Sequence, residues 1–166
     1  MATNENLQEA FAGESQANRR YTAFAKKADA DGYPVVAKLF RAAAEAETVH
    51  AHAHLRAMDG INGTAENLKV AIAGEGYEFQ KMYPDFVAAA EAENNRRALA
   101  SFRNALPVEE VHHGLYSEAL KAVEAGQDLP DAQIFICTVC GHTVWSEAPD
   151  ICPVCGAKKD KYTEIE

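Results

Sequence analysis

Apolar and small residues return every three or four positions from residue 4 to about 125, the period of helices that bury one face. Leu7, Phe11, Glu14, Asn18, Tyr21, Ala25 and Ala28 form the stripe of a first helix, which Asp31-Gly32 stops. Pro34 suits the first turn of a second, whose stripe is Val36, Phe40, Ala43, Glu47, His50, His54 and Ala57, closing at Asp59-Gly60. Thr64 is placed to cap a short helix from Ala65 to Ala73, which Gly74 and Gly76 then loosen or bend. A third long helix carries Glu75, Phe79, Met82, Phe86 and Ala89 to about Asn94. A fourth carries Phe102, Ala105, Glu109, His112, Tyr116, Ala119 and Val123 and ends at Gly126. Pro107 removes one backbone hydrogen bond, to the Arg103 carbonyl, and is expected to bend that helix without splitting it. Residues 127–133 read as a polar linker, and Ile134-Phe135-Ile136 as a strand entering a cysteine-rich segment. The pattern predicts an all-α four-helix bundle over 1–126, then a small β module over 134–166.

The helical stripes are not purely apolar. Glu14, Glu47, Glu75 and Glu109 each fall on one, and an isolated buried carboxylate costs several kcal/mol unless something positive meets it. Two of the four belong to a Glu-x-x-His spacing, Glu47 with His50 and Glu109 with His112. That spacing puts carboxylate and imidazole on one helix face, aimed the same way. One Glu from each of two helices, plus Glu-x-x-His from the other two, is how a four-helix bundle holds a pair of iron or manganese ions. Glu78, one turn past Glu75, adds a further carboxylate. Glu110 and His113 repeat the spacing about 100° around the helix, but only Glu109 and His112 continue the stripe. His52 lies off its stripe and reads as a surface residue. His54 lies on it, one turn beyond His50, in a packing or supporting role.

All four cysteines lie in two knuckles, CTVCG at 137–141 and CPVCG at 152–156. Two Cys-x-x-Cys loops bring Cys137, Cys140, Cys152 and Cys155 into a tetrahedron that fits iron or zinc, rather than a disulfide framework. Spacing leaves iron and a structural zinc equally open. Ile136, Trp145 and Tyr162 are candidates to shield the site. Free thiolates point to a reducing cytoplasm. A net charge of −9 argues against nucleic acid or an anionic membrane as partner. No long apolar run and no basic, apolar leader is visible, so neither a membrane span nor a secretory signal is expected. Without a Gly-x-Gly-x-x-Gly or P-loop string, a nucleotide would have to be bound by another protein.

The strings GESQANRRY, EAETVHAHAHLRAM, AGEGYEFQKMYPDF and VEEVHHGLY resemble the four ligand-bearing segments of rubrerythrins, and CPVCGAKKDKY resembles the second knuckle of rubredoxin. The resemblance spans about Leu7 to Tyr162. It implies a ferritin-like bundle followed by a rubredoxin-like module, holding a diiron centre and a mononuclear Fe(Cys)4 centre. Glu47 and Glu109 would bridge the two irons, and Glu14 and Glu75 would bind at either end. His112 would be a fixed ligand, with Glu78 and His50 as alternatives at the other iron. Tyr21 and Tyr83 match tyrosines close to the cluster. The activity implied is reduction of hydrogen peroxide, with Glu78 the mobile, proton-handling group. Electrons would enter through Fe(Cys)4 from NAD(P)H, by way of a separate reductase or rubredoxin. The resemblance also implies a homodimer or larger assembly, with the electron path crossing between subunits. A connection from Asp59 to Gly74 can only just run back along a bundle, at about 1.5 Å per helical and 3.3 Å per extended residue. An exchange of helix pairs between chains would relieve it. The competing readings are an iron-storing bundle with a structural zinc ribbon, and a dimanganese catalase, which needs no cysteine module.

Overall fold

A computed structural model describes residues 2–166. They divide into two compact units, one ending at Asn62 and the other spanning Gly63–Glu166.

The first unit is a pair of helices, α1 (Ala2–Ala30) and α2 (Pro34–Ala57). Gly32, at φ +83°, turns the chain, and the Tyr33 amide donates to the Ala28 carbonyl at 2.8 Å to close the end of α1. The buried seam is built of alanine: Ala25 and Ala28 on α1, with Ala37, Ala44 and Ala51 on α2. Seven-residue spacing on α2 keeps these small side chains on one line, which lets the backbones approach closely. Asn18 ties the pair together, its Nδ2 donating to the Ala44 carbonyl at 2.8 Å and to Thr48 Oγ1 at 2.9 Å. The larger stripe residues lie on a second, more open face: Phe11, Tyr21 and Phe40 are half-buried, and Val36 is exposed.

In the second unit, α3 (Thr64–Tyr77) runs through a π-helical segment (Glu78–Met82) into α4 (Tyr83–Ala92). This corrects the expected short helix over 65–73. Gly74 and Gly76 remain inside α3, and Thr64 is its first residue, with extended Gly63 at the cap. The irregularity falls instead at Glu78–Met82, directly before Pro84, which has no N–H to donate back to the Gln80 carbonyl. Asn95 caps α5 (Arg96–Glu124), accepting from the Ala98 amide at 3.1 Å. That helix is a single element through Pro107. Tyr83, Phe86 and Phe102 join α4 to α5, with ring centroids 5.4–6.2 Å apart.

A three-stranded antiparallel sheet follows, β1 (Ile134–Cys137), β2 (Thr143–Trp145) and β3 (Tyr162–Ile165), in the order β2-β1-β3. Phe135 pairs with Val144 on one side and Glu164 on the other. Among the described residues, no helix is long and apolar enough to cross a membrane.

Candidate metal centres

Each unit brings three helical metal-ligand candidates together. In the first, Glu14 from α1 meets Glu47 and His50 from α2; in the second, Glu75 from α3 meets Glu109 and His112 from α5. Within each group the ligand atoms lie within 4.8 Å of one another. The two groups share one geometry. His50 Nδ1 is 3.3 Å from Glu47 and 4.0 Å from Glu14, and His112 Nδ1 is 3.0 Å from Glu109 and 3.8 Å from Glu75. Carboxylates and an imidazole nitrogen converging on one point, with no lysine or arginine among them, form a donor set that fits divalent iron or manganese.

The carboxylates perturb one another. Side-chain hydrogen bonding between Glu14 and Glu47 raises the Glu14 pKa and lowers that of Glu47. Burial raises Glu75, and the neighbouring charge of Glu109 adds to it. Glu78 is raised by burial and by Glu75. It lies outside the tight cluster, at the start of the π segment, within electrostatic reach of Glu75 and His112. Tyr83 is raised by burial, then by Glu109, Glu78 and Glu75, so its hydroxyl keeps its proton beside that group. Tyr21 instead packs its ring against Phe24 and Phe40, at 6.4 and 6.1 Å. His54 is half-buried and acts electrostatically on Glu14, while His52 is exposed. Glu110 is exposed, and the His113 ring packs on Phe79 at 5.3 Å.

The four cysteine sulfurs lie together, with Cys137 Sγ 3.7 Å from Cys155 Sγ and Cys140 Sγ 3.6 Å from Cys152 Sγ. Metal–sulfur bonds of about 2.3 Å in a tetrahedron put sulfurs roughly 3.8 Å apart, so the set fits a metal with little movement. Burial pushes the Cys140 and Cys155 thiols up. At Cys152 burial is outweighed by donors from the Tyr162 hydroxyl and the Cys155 and Val154 amides, which hold it down at about 6. A metal deprotonates all four.

Several supporting contacts escaped the sequence pattern. His142, buried at the end of the first knuckle, has Nδ1 2.8 Å from the Tyr162 hydroxyl. Burial, then the nearby His112, lowers the His142 pKa and keeps it neutral. Thr143 Oγ1 lies 3.0 Å from His112 Nε2, so the cysteine module touches a helical ligand of its own chain. An apolar cavity of about 260 Å³, lined by Leu68, Leu115, Tyr116 and Trp145 among others, borders the same two residues. Periodicity carries no signal for such contacts, because they join a helix to a loop far along the chain.

Helical carboxylate–histidine ligands for a diiron centre and a four-thiolate iron site define a non-haem iron protein, a helical part followed by a small rubredoxin-like module. The family models for rubrerythrin and for the rubrerythrin rubredoxin-like domain match residues 5–120 and 135–163. This chain belongs to the rubrerythrin family. It is 33% identical to rubrerythrin-2 of Clostridium acetobutylicum, over 96% of this chain and 95% of that protein. It is 37% identical to a rubrerythrin of Porphyromonas gingivalis, over 92% of this chain and 84% of that one. A solved structure described as fully reduced, all-ferrous nigerythrin matches with a TM-score of 0.59 and 33% identity, covering 98% of this chain and 86% of that one.

Proposed function

We propose that this chain is a peroxidase that reduces hydrogen peroxide, which takes up two electrons and two protons and leaves as two waters. The observation that carries the reading is the presence, in one chain, of two Glu-Glu-His groups and a four-thiolate site. A pair of ferrous ions, which Glu14, Glu47, His50, Glu75, Glu109 and His112 would hold, would supply the two electrons. The chain's own residues handle ligand exchange and protons. Glu78, with its raised pKa and its place at a π turn, is free to move toward the metals and to deliver a proton. Tyr83 keeps its proton beside Glu109, Glu78 and Glu75, and so is available to donate it, while Tyr21 is the matching tyrosine of the first helix pair. His50, more than half exposed at its side chain, is the ligand able to exchange with Glu78.

An iron held by Cys137, Cys140, Cys152 and Cys155 would supply one-electron chemistry to refill the site, drawing on NAD(P)H by way of a separate reductase or a rubredoxin in a reducing cytoplasm. We further propose a homodimer in which chains exchange helix pairs, so that the α1–α2 ligands of one copy meet the α3–α5 ligands of the other. A ferritin-like bundle needs one long crossover connection. Here most of the expected Asp59–Gly74 connection, from Thr64 on, is the first turns of the helix that carries Glu75, leaving only residues 58–63. Fully extended, that link reaches at most about 20 Å, whereas α2 is about 36 Å long.

Metal analysis with optical spectroscopy tests the peroxidase reading. The expected result is iron at both kinds of site, and a thiolate-to-iron absorption that bleaches on reduction and returns as peroxide is consumed. Zinc in the thiolate site, with no optical change during peroxide consumption, would overturn it in favour of an iron-binding bundle with a zinc ribbon.

A further inference from the structure

Thr143 stands at an unusual junction. It opens β2, immediately after the first cysteine knuckle, yet its hydroxyl sits 3.0 Å from Nε2 of His112, in the middle of α5. The same hydroxyl lies 3.1 Å from the Gly141 carbonyl, which can only accept. With its proton given to Gly141, the hydroxyl is left to accept from Nε2–H of His112. Nδ1 faces Glu109 and Glu75, and a metal bound there would leave the ring's one proton on Nε2, where Thr143 holds it.

The knuckle that carries Thr143 is tightly specified. The Gly141 amide donates to the Cys137 carbonyl at 2.7 Å, and the Cys137 amide to the His142 carbonyl at 2.9 Å. Gly141 has φ +88°, and a Cβ there would lie 3.7 Å from the buried Val108 of α5. The loop that wraps one edge of the four-thiolate site thus rests on α5 one turn from His112. We propose that Thr143 is a positioning residue for the helical metal site, and that through it the cysteine module of a chain sets the metal affinity of that chain's own helical ligands. This rests on His112 binding metal and not on peroxide chemistry. The knuckle presents Thr143, and Thr143 holds the His112 ring with Nδ1 turned toward Glu75 and Glu109. By linkage, metal at the helical site must steady the module in return.

The test uses the full chain with its thiolate site filled by zinc and the helical sites titrated with manganese(II), which thiolates do not favour. Free manganese is read by electron paramagnetic resonance. Thr143→Val should weaken manganese binding roughly tenfold or more, the usual cost of losing a hydrogen bond behind a ligand histidine. Thr143→Ser should bind within a small factor of the wild type. Wild-type affinity in Thr143→Val would overturn the proposal. So would equal weakening in the valine and serine variants, since packing rather than the hydroxyl would then be responsible. Failure of peroxide turnover alone would touch only the peroxidase reading.

Discussion

Gly76 of α3 lies directly under the ring of His113 of α5: a Cβ built on Gly76 would stand 3.3 Å from His113 Cδ2 and 3.6 Å from Nε2. The contact, with the packing of Phe79 on the other side of that ring, occupies His113 and leaves its neighbour His112 to face Glu75 and Glu109. It separates two histidines that sequence alone presents as near-equivalents.

Gly74 and Gly76 are both inside α3, but a Cβ at Gly74 would meet nothing within 4 Å. Gly74→Ala should therefore stabilise the protein by about 0.5–1 kcal/mol, the helix-propensity difference. Gly76→Ala gains the same backbone term but must displace the His113 ring, so its gain should be smaller, and Gly76→Val should destabilise. Urea unfolding midpoints check the order; equal effects at 74 and 76 would show that the ring yields freely.

Glu78 carries a pH signature. Its folded pKa is raised above the ordinary 4.5 by burial and by Glu75, and Glu75 is raised in the same sense. Below about pH 4.5 the carboxyl is protonated whether folded or not, and the fold bears no penalty. As pH rises through the raised value, ionisation in a half-buried place costs stability. With the helical sites emptied of metal, Glu78→Gln should melt higher than wild type at pH 7 and alongside it at pH 4. Metal-loaded, the same variant should consume peroxide more slowly, by about a hundredfold if Glu78 is the proton donor. A constant melting difference across this pH range would mean that charge is not the cause.

Exchange of helix pairs between chains has a decisive genetic test. Glu47→Ala and Glu109→Ala each remove a central carboxylate from a different unit, and each variant alone should lose the two-metal site while keeping its thiolate iron. In an exchanged heterodimer of the two, one site carries both lesions and the other carries neither. Heterodimers purified by two different tags after co-expression should recover half of the wild-type helical iron content. No recovery would mean that each chain completes its own site.

Pro107 interrupts the backbone ladder of α5, which nevertheless remains one helix. Pro107→Ala restores a donor to the Arg103 carbonyl and should stabilise the protein by about 1–3 kcal/mol. If Pro107 sets the aim of Glu109 and His112, metal affinity should fall as stability rises, which calorimetry and metal titration resolve together.

Much of this molecule was legible in residue order because its chemistry repeats at helical and knuckle spacings. Glu-x-x-His places two ligands on one face whatever the helix packs against, and Cys-x-x-Cys closes a metal loop from local geometry alone. Helix limits at Ala30, Ala57 and Glu124 followed from Gly32, the Asp59-Gly60 pair and Gly126, whose backbone preferences are local. Other features depended on what came near in space. The seam of the first unit runs through Ala37, Ala44 and Ala51 rather than through the larger apolar stripe, because close approach of α1 favours the smallest side chains. The short helix expected at 65–73 merged with the Glu75 helix, because packing along α5 outweighs the propensity cost of two glycines. The His112–Thr143 contact joins residues with no shared period, and it exists because the knuckle, turned at Gly141 with φ +88°, settles beside Val108. Local spacing determined which residues can bind metal; the approach of distant segments decided which nitrogen faces it and what holds that nitrogen in place.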